Sequence, residues 1–324
     1  MALTKLNTGV LVLAGNNTYT GATIVRAGTL RVSGTAGSVA SSSGLTVVSN
    51  GILELQNTAA ANNGDRIGDS AAVTMNGGTF SFNNTAGAAS FTETTGTVNV
   101  NRGANTINST QNTLGTSTLT FSSLARTGAG TVNFTGVGLG LDATNRIRVT
   151  DQAAGFIGAW ATVNGTEFAK YDSVQGVTAM TGSDYVTSGN AGTWTGADHV
   201  KMEGIVAVSN AGVTEISTLN LKPNAAAIPV GSVSLGAGST LRLRNGILVS
   251  GTVASGGIFG GNLTAGTGAD AAGELLINNS TATSNVFTIG SSIVNNGLGA
   301  VAVTKSGAGT LVLAGTNTFT GALR

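Results

Sequence analysis

The sequence predicts an all-β chain folded as a parallel β-helix, or β-solenoid, drawn out as a single elongated rod. Three observations predict it. A glycine-led strand pattern recurs along most of the chain, one longer unit occurs near both ends, and the composition suits strands and tight corners. The long unit reads KLNTGVLVLAGNNTYTGA over residues 5–22 and KSGAGTLVLAGTNTFTGA over residues 305–322, an offset of 300 positions (305 − 5). Self-similarity of this kind marks architectures stacked along one dimension.

The short pattern is Gly, a β-branched residue, then apolar-x-apolar. It occurs at residues 9–13 (GVLVL), 28–32 (GTLRV), 51–55 (GILEL), 78–82 (GTFSF), 96–100 (GTVNV), 130–134 (GTVNF) and 309–313 (GTLVL). A variant with one extra residue lies at 238–243 (GSTLRL). Apolar and polar residues alternate with the strand period of two. The polar members Arg31, Glu54, Ser81, Asn99, Asn133 and Arg242 are expected to face solvent. A second short strand precedes most copies, as at residues 23–25, 45–48, 72–75 and 232–235, and the connection ends in Gly28 or Gly51.

Asn50-Gly51 between two strands also fits a hairpin, and so an antiparallel sandwich is the competing fold. The spacing disfavours it. The pattern returns at coil-sized intervals, as from Gly28 to Gly51, Gly51 to Gly78 and Gly78 to Gly96, with no complementary pattern for a second sheet. Coils of about 20–25 residues rising about 4.8 Å each would give roughly 13–16 coils and a rod of about 60–80 Å. Gly and Asn would take the corners that need positive φ.

Gly supplies 50 of 324 residues, about twice its usual share of roughly 7%. It is costly in helices, by about 1 kcal/mol relative to Ala. Charged residues make only 9%, yet 41% is apolar, enough to fold rather than remain disordered. The 15 Lys and Arg are scattered and the net charge is +1, which speaks against a nucleic-acid partner. The absence of Cys removes disulfides, zinc-thiolate sites and thiol nucleophiles. No apolar run approaches the roughly 18–20 residues of a membrane span. Met1 to Asn7 lack the charged and apolar regions of an export signal, so an exported protein would carry that segment outside this chain.

Three stretches follow: regular coils over 1–138, coils with longer excursions over 139–230, and regular coils over 231–324 ending in a partial repeat. The middle stretch holds Trp160, Trp194, Tyr171 and clustered charges, and Pro223 and Pro229 bracket a loop at residues 222–230.

The terminal units, SGAGTLVLAGTNTFTG over residues 306–321 and the run over residues 9–32, closely resemble the autotransporter-associated β-strand repeat. The resemblance is strict over about a tenth of the chain. It implies a right-handed parallel β-helix from the passenger region of a bacterial exported protein, and it brings no catalytic residues. The run from Trp160 to Asp172 also resembles a segment found between such repeats. A C-terminal membrane barrel with amphipathic strands is not part of this sequence.

Chemistry is thin. Glycoside hydrolysis needs two carboxylates on one face. The nearest pairs are Asp65 and Asp69 beside Arg66, expected in an exposed turn, and Asp142 and Asp151 with Arg146 and Arg148. His199, after Asp198, has the chemistry of a general base but reads better as a surface loop residue. Trp160, Trp194 and Tyr171 have the chemistry of a sugar-stacking shelf, while Trp160 and Phe168 fit better as plugs of a widened coil. Gly266-Thr267-Gly268-Ala269-Asp270 is a single poor copy of a calcium nonapeptide, and Gly256-Gly257 and Gly260-Gly261 lack the context of a phosphate loop. No catalytic residue, metal or cofactor is expected.

The expected role is an extracellular structural or adhesive solenoid at the bacterial cell surface, and not an enzyme. Its partners would be further coils of a longer chain or other copies stacking end to end into filaments, and surface glycan or host matrix. Leu11, Leu13, Tyr19, Leu311, Leu313 and Phe319 would form the stacking ends, since neither terminal unit shows a polar cap. The alternative is a polysaccharide-binding or polysaccharide-degrading β-helix using Trp160, Trp194 or the Asp142 to Asp151 region.

Overall fold

Like sits above like. In the computed structural model, which describes residues 1–84, 89–111, 114–222, 231–251 and 256–324, strands of successive coils pair in parallel. The chain divides into two compact units, Met1–Ile157 with Ala169–Ala179, and Gly158–Phe168 with Met180–Arg324. No α-helix occurs among the described residues, and 3₁₀ turns occupy Gly182–Asp184 and Ala191–Thr193.

In the first unit, one register column runs Leu11, Leu30, Leu53, Phe80, Ile107 and Phe134. The last five are solvent-inaccessible. A second column runs Val25, Val47, Met75 and Val100 on the strands Thr23–Val25, Leu45–Val48, Val73–Asn76 and Val98–Arg102. Alternation fixes this packing, because a slip of one residue would turn every apolar side chain outward. The corners use the expected left-handed conformers, with Asn50 at φ 67° and Gly28 at φ 64°. A third sheet stacks Ser90–Thr95, Thr116–Phe121 and Asn145–Val149, again in parallel.

The second unit repeats the scheme. Val206, Val233, Ile258, Ile289 and Leu313 stack across five coils. Pro223, Pro229 and the loop they bracket lie outside the described residues, apart from Lys222.

Three expectations need correction. The coils are longer than their expected length, since Leu53 sits under Phe80 and Phe80 under Ile107. The chain therefore makes about ten turns rather than 13–16. The pairing is also locally antiparallel. Tyr171 pairs with Gly155 and Val177 in the first unit, and Phe168 with Thr162 in the second. Finally, the outward polar residues are not simply solvated. Glu54 is buried, held by Arg31 Nε at 2.7 Å and Asn83 Nδ2 at 2.7 Å. Register stacking explains this, because outward side chains of adjacent coils lie one strand spacing apart and shield each other.

Candidate functional site

The two terminal units share a construction, copied atom for atom at several points. Leu3 pairs with Thr23 and Val303 with Leu323, the same step along the chain at each end. Gly21 N donates to Met1 O at 2.9 Å, and Gly321 N to Val301 O at 3.0 Å. A Cβ at Gly21 would lie 2.2 Å from Met1 O, and one at Gly321 2.4 Å from Val301 O, so only glycine permits this approach. Asn17 and Asn317 each donate Nδ2 two residues back, to Gly15 O and Gly315 O. The Lys5 ammonium gathers the carbonyls of Leu6, Asn7 and Ala27 at 2.6–3.0 Å, and Lys305 donates to Gly307 O. Burial lowers the Lys305 pKa.

The surroundings of the two copies differ. Val10–Leu13 pairs with the coil that follows it, at Gly28–Val32. Thr310–Leu313 pairs with the coil before it, at Val286–Ile289. Leu11, Leu13 and Tyr19 are half-buried, and the Tyr19 hydroxyl bonds Thr23 Oγ1 at 2.7 Å. Leu311, Leu313 and Phe319 pack on the core of the second unit. Val10, Val12 and Val312 stand exposed on the outer face.

The run from Asp65 to Asp69 is not the exposed turn expected. Asp65 and Asp69 are exposed, but Arg66 between them is completely buried. Its guanidinium donates to Asn57 Oδ1 at 2.8 Å and to the carbonyls of Gly37, Gly34 and Ala61 at 2.9–3.0 Å. The backbone amides of Arg66 and Ile67 donate to the two oxygens of Glu93, at 3.2 and 2.9 Å. Burial pushes the Glu93 pKa up to about 8, against the lowering effect of those amides and of Arg66. From Asn57 a buried polar chain continues through Asn84 (3.1 Å), Ser117 (2.8 Å), Ser109 (3.0 Å) and Asn145 (2.7 Å). These residues satisfy one another inside the coil stack and present no group to a substrate.

The other candidates do not assemble into a site: Asp151 is exposed, and the buried Arg146 Nε has no hydrogen-bond partner among the described residues. Asp142 is exposed, and the Thr144 hydroxyl, together with Thr144 N donating at 2.7 Å, lowers its pKa. Arg148 donates to the carbonyls of Val174 and Ser173. His199 lies in the strand His199–Met202 rather than in a loop. It is half-buried against Thr218 Oγ1 at 2.9 Å, and burial lowers its pKa. Trp194 and Tyr171 are buried, with the indole N–H on Ser188 O and the phenol on Val149 O, and so they form no exposed shelf. Phe168 is buried as a plug should be, and Trp160 is half-buried.

Two ionic clusters in the second unit carry no sequence signature. Glu167 takes Lys201 Nζ at 2.6 Å, Lys222 Nζ at 3.3 Å and Asn220 Nδ2 at 3.1 Å. Glu215 clamps Arg242 (Nε at 2.8 Å) and Arg244 beside a cleft of about 360 Å³ bordered by Trp194, Thr195 and Asn210. Burial alone would raise the Glu215 pKa, but the two guanidinium groups outweigh it and hold the pKa low. Among the described residues no cluster of His, Cys, Asp and Glu could hold a metal.

Residues 3–32 and 303–324, the segments that share this construction, match the family described as the passenger-associated-transport-repeat. Over 285 residues, the chain is 35% identical to the adhesin BmaC autotransporter of Brucella suis biovar 1 (strain 1330). It is an autotransporter passenger-repeat protein. The alignment covers 86% of this chain but 8% of that relative, so the chain spans a small part of the relative's length. No solved structure matches. The matched segments are those that reuse the Lys5 or Lys305 ammonium, the Gly21 or Gly321 approach and the Asn17 or Asn317 turn. Reading the repeat as a strand signal alone passes over Lys5, whose recurrence at Lys305 is the available clue. Glu93 and the Glu167 cluster offer no local clue, because their partners lie 26 to 55 residues away, and Arg66 joins the nearby Asn57 and Ala61 to Gly37 and Gly34, 29 and 32 positions away.

Proposed function

We propose that this chain is a scaffold stretch of a bacterial surface adhesin, displayed outside the cell, which holds binding surfaces away from the membrane and catalyses no reaction on other molecules. The observation that carries this reading is the predominantly parallel register of the coils within each unit, combined with likeness to an autotransporter adhesin over most of the chain. A stack in which every coil contacts only its neighbours extends by adding coils, a property suited to reach. The candidate acidic residues are also exposed, or are engaged by backbone and side-chain donors. Antibodies raised against the folded chain should label intact cells of the source bacterium, and the purified chain should bind host matrix or surface glycan. Labelling confined to permeabilised cells would refute surface display. Clearance of acidic glycans by the purified chain would favour the polysaccharide-degrading reading instead.

The finer reading is end-to-end stacking of copies. It is supported by one repeat that pairs with a following coil at Val10–Leu13 and with a preceding coil at Thr310–Leu313. In such a contact Val12 of one copy would meet Val312 of the next. As the chain has no Cys, a Val12→Cys, Val312→Cys variant should oxidise to ladders of covalent oligomers. Monomers alone at high concentration, under oxidation and by electron microscopy, would end this reading.

A further inference from the structure

Lys201 and Asn220 are register partners on the parallel strands His199–Met202 and Gly212–Leu221, so their side chains leave the sheet side by side on adjacent coils. Both reach one carboxylate. Lys201 Nζ lies 2.6 Å from Glu167 Oε1, and Asn220 Nδ2 lies 3.1 Å from Glu167 Oε2. Asn220 is solvent-inaccessible, while the side chains of Glu167 and Lys201 keep 13% and 17% of their exposure. Tyr185 closes the group, with its hydroxyl 3.4 Å from Asn220 Nδ2 and its ring 5.2 Å from Lys201 Nζ. A second amine, Lys222 Nζ, sits 3.3 Å from the same Glu167 oxygen and is the more exposed of the two, at 36%.

We propose that Lys201, Glu167 and Asn220 form a self-processing site at which Lys201 Nζ and Asn220 Cγ join in an intramolecular amide bond. Amine, amide and shared carboxylate are the parts such an acyl transfer needs, and the fold holds them together without a diffusional step. Lys201 and Lys222 share the one Glu167 carboxylate, and Lys201 is the amine that the register sets beside Asn220. It reacts as the neutral amine, its surplus ammonium proton passing first to solvent. Neutral Nζ attacks Asn220 Cγ and forms the new C–N bond. Glu167, in contact with both nitrogens, takes the proton from Nζ and delivers it to Nδ2. The Cγ–Nδ2 bond breaks and ammonia leaves with that proton. Nothing is oxidised or reduced, and no co-reactant is needed. The product staples one coil to the next, closing the chain between Lys201 and Asn220 into a covalent loop.

Intact-mass spectrometry of the purified full chain tests this. The folded chain should weigh about 17 Da less than its sequence mass, the loss of one ammonia. Trypsin should fail to cut after Lys201. Because Pro223 also blocks cleavage after Lys222, it should release 171–242 as one species carrying the whole deficit. Lys201→Arg, which keeps the charge but not the nucleophile, and Glu167→Gln should both restore the sequence mass in chains that still show the β-sheet circular dichroism of the wild type. A wild-type chain at full sequence mass, with normal cleavage after Lys201, overturns the proposal. So does a deficit that maps to an Asn-Gly step such as Asn50-Gly51, or one that persists in Lys201→Arg.

Discussion

Glu93 should give the first unit an unusual pH dependence. Its carboxyl is 1% exposed and accepts from the amides of Arg66 and Ile67, with the Arg66 guanidinium and the Asp65 carboxylate as the charged groups acting on it. Burial places the folded-state pKa near 8, against an ordinary value of 4.5. Between these values the folded chain holds a proton that the unfolded chain has released. Stability from this group is therefore complete below about pH 4.5, falls as pH rises through the window, and is gone above about pH 8. At about 1.4 kcal/mol per pH unit the full difference is roughly 5 kcal/mol, and relaxation around the new charge should leave on the order of 2–5 kcal/mol. Both Trp residues lie in the second unit, so fluorescence would miss the effect. Hydrogen exchange of peptides from Met1–Ile157 reads it directly. Glu93→Gln is the control. Its amide nitrogen meets one of the two backbone donors, a penalty of about 1–3 kcal/mol that does not vary with pH. Compared at the same pH, where intrinsic exchange cancels, wild type should be better protected than Glu93→Gln at about pH 4.5, and the ratio of their protection should fall at least tenfold by about pH 9. A ratio constant across about pH 4.5–9 would refute the reasoning.

The other predictions concern packing. Gly15 and Gly315 hold the same place in the repeat, but a Cβ at Gly15 meets nothing within 4 Å while one at Gly315 lies 2.1 Å from Ser291 O. Gly15→Ala should change stability by less than about 0.5 kcal/mol and Gly315→Ala should cost about 1–3 kcal/mol, as read by urea unfolding. Arg66→Met keeps bulk but removes the donors to three carbonyls and Asn57, and should lower the stability of the first unit by about 3–5 kcal/mol. A variant within about 1 kcal/mol of wild type would show that those carbonyls find water. Phe80→Ala empties the centre of a fully buried column, where the ring stands 6.3 Å from Phe121, and should cost about 3–5 kcal/mol by the same measurement.

How much of this is legible in the sequence follows from the range of each interaction. Alternation is local, so Leu30, Leu53, Phe80 and Phe134 read as inward residues and are inward. Corner chemistry is local too, and Gly28 and Asn50 carry the positive φ expected of them. Coil length is not local. It depends on the excursions between strands, which is why coils as long as the step from Leu53 to Phe80 read as shorter and more numerous. The antiparallel pairing of Glu167–Asp172 is hidden for a related reason: a hairpin and a solenoid corner share their turn residues. Polar partners are the least legible. Arg66 beside two aspartates looks like a solvated turn in any short window, yet its acceptors include Gly37 and Gly34, 29 and 32 positions away.

That range explains why so few charges suffice. Stacked coils place position i beside the residue about one coil further on, so a buried polar group can meet a partner from the neighbouring turn as well as from its own. Arg31 on Glu54 and Arg242 on Glu215 are contacts of this type, between register partners 23 and 27 residues apart. An apolar column tolerates a shift of register by exchanging Leu for Phe, whereas an ion pair or an Arg66-like fork does not. The sparse charges therefore fix which coil stacks on which, and the apolar columns supply the attraction. Exchanging the partners tests this division: Arg31→Glu with Glu54→Arg should restore the stability that either change alone removes. Failure of the double variant to recover would mean that the columns alone set the register.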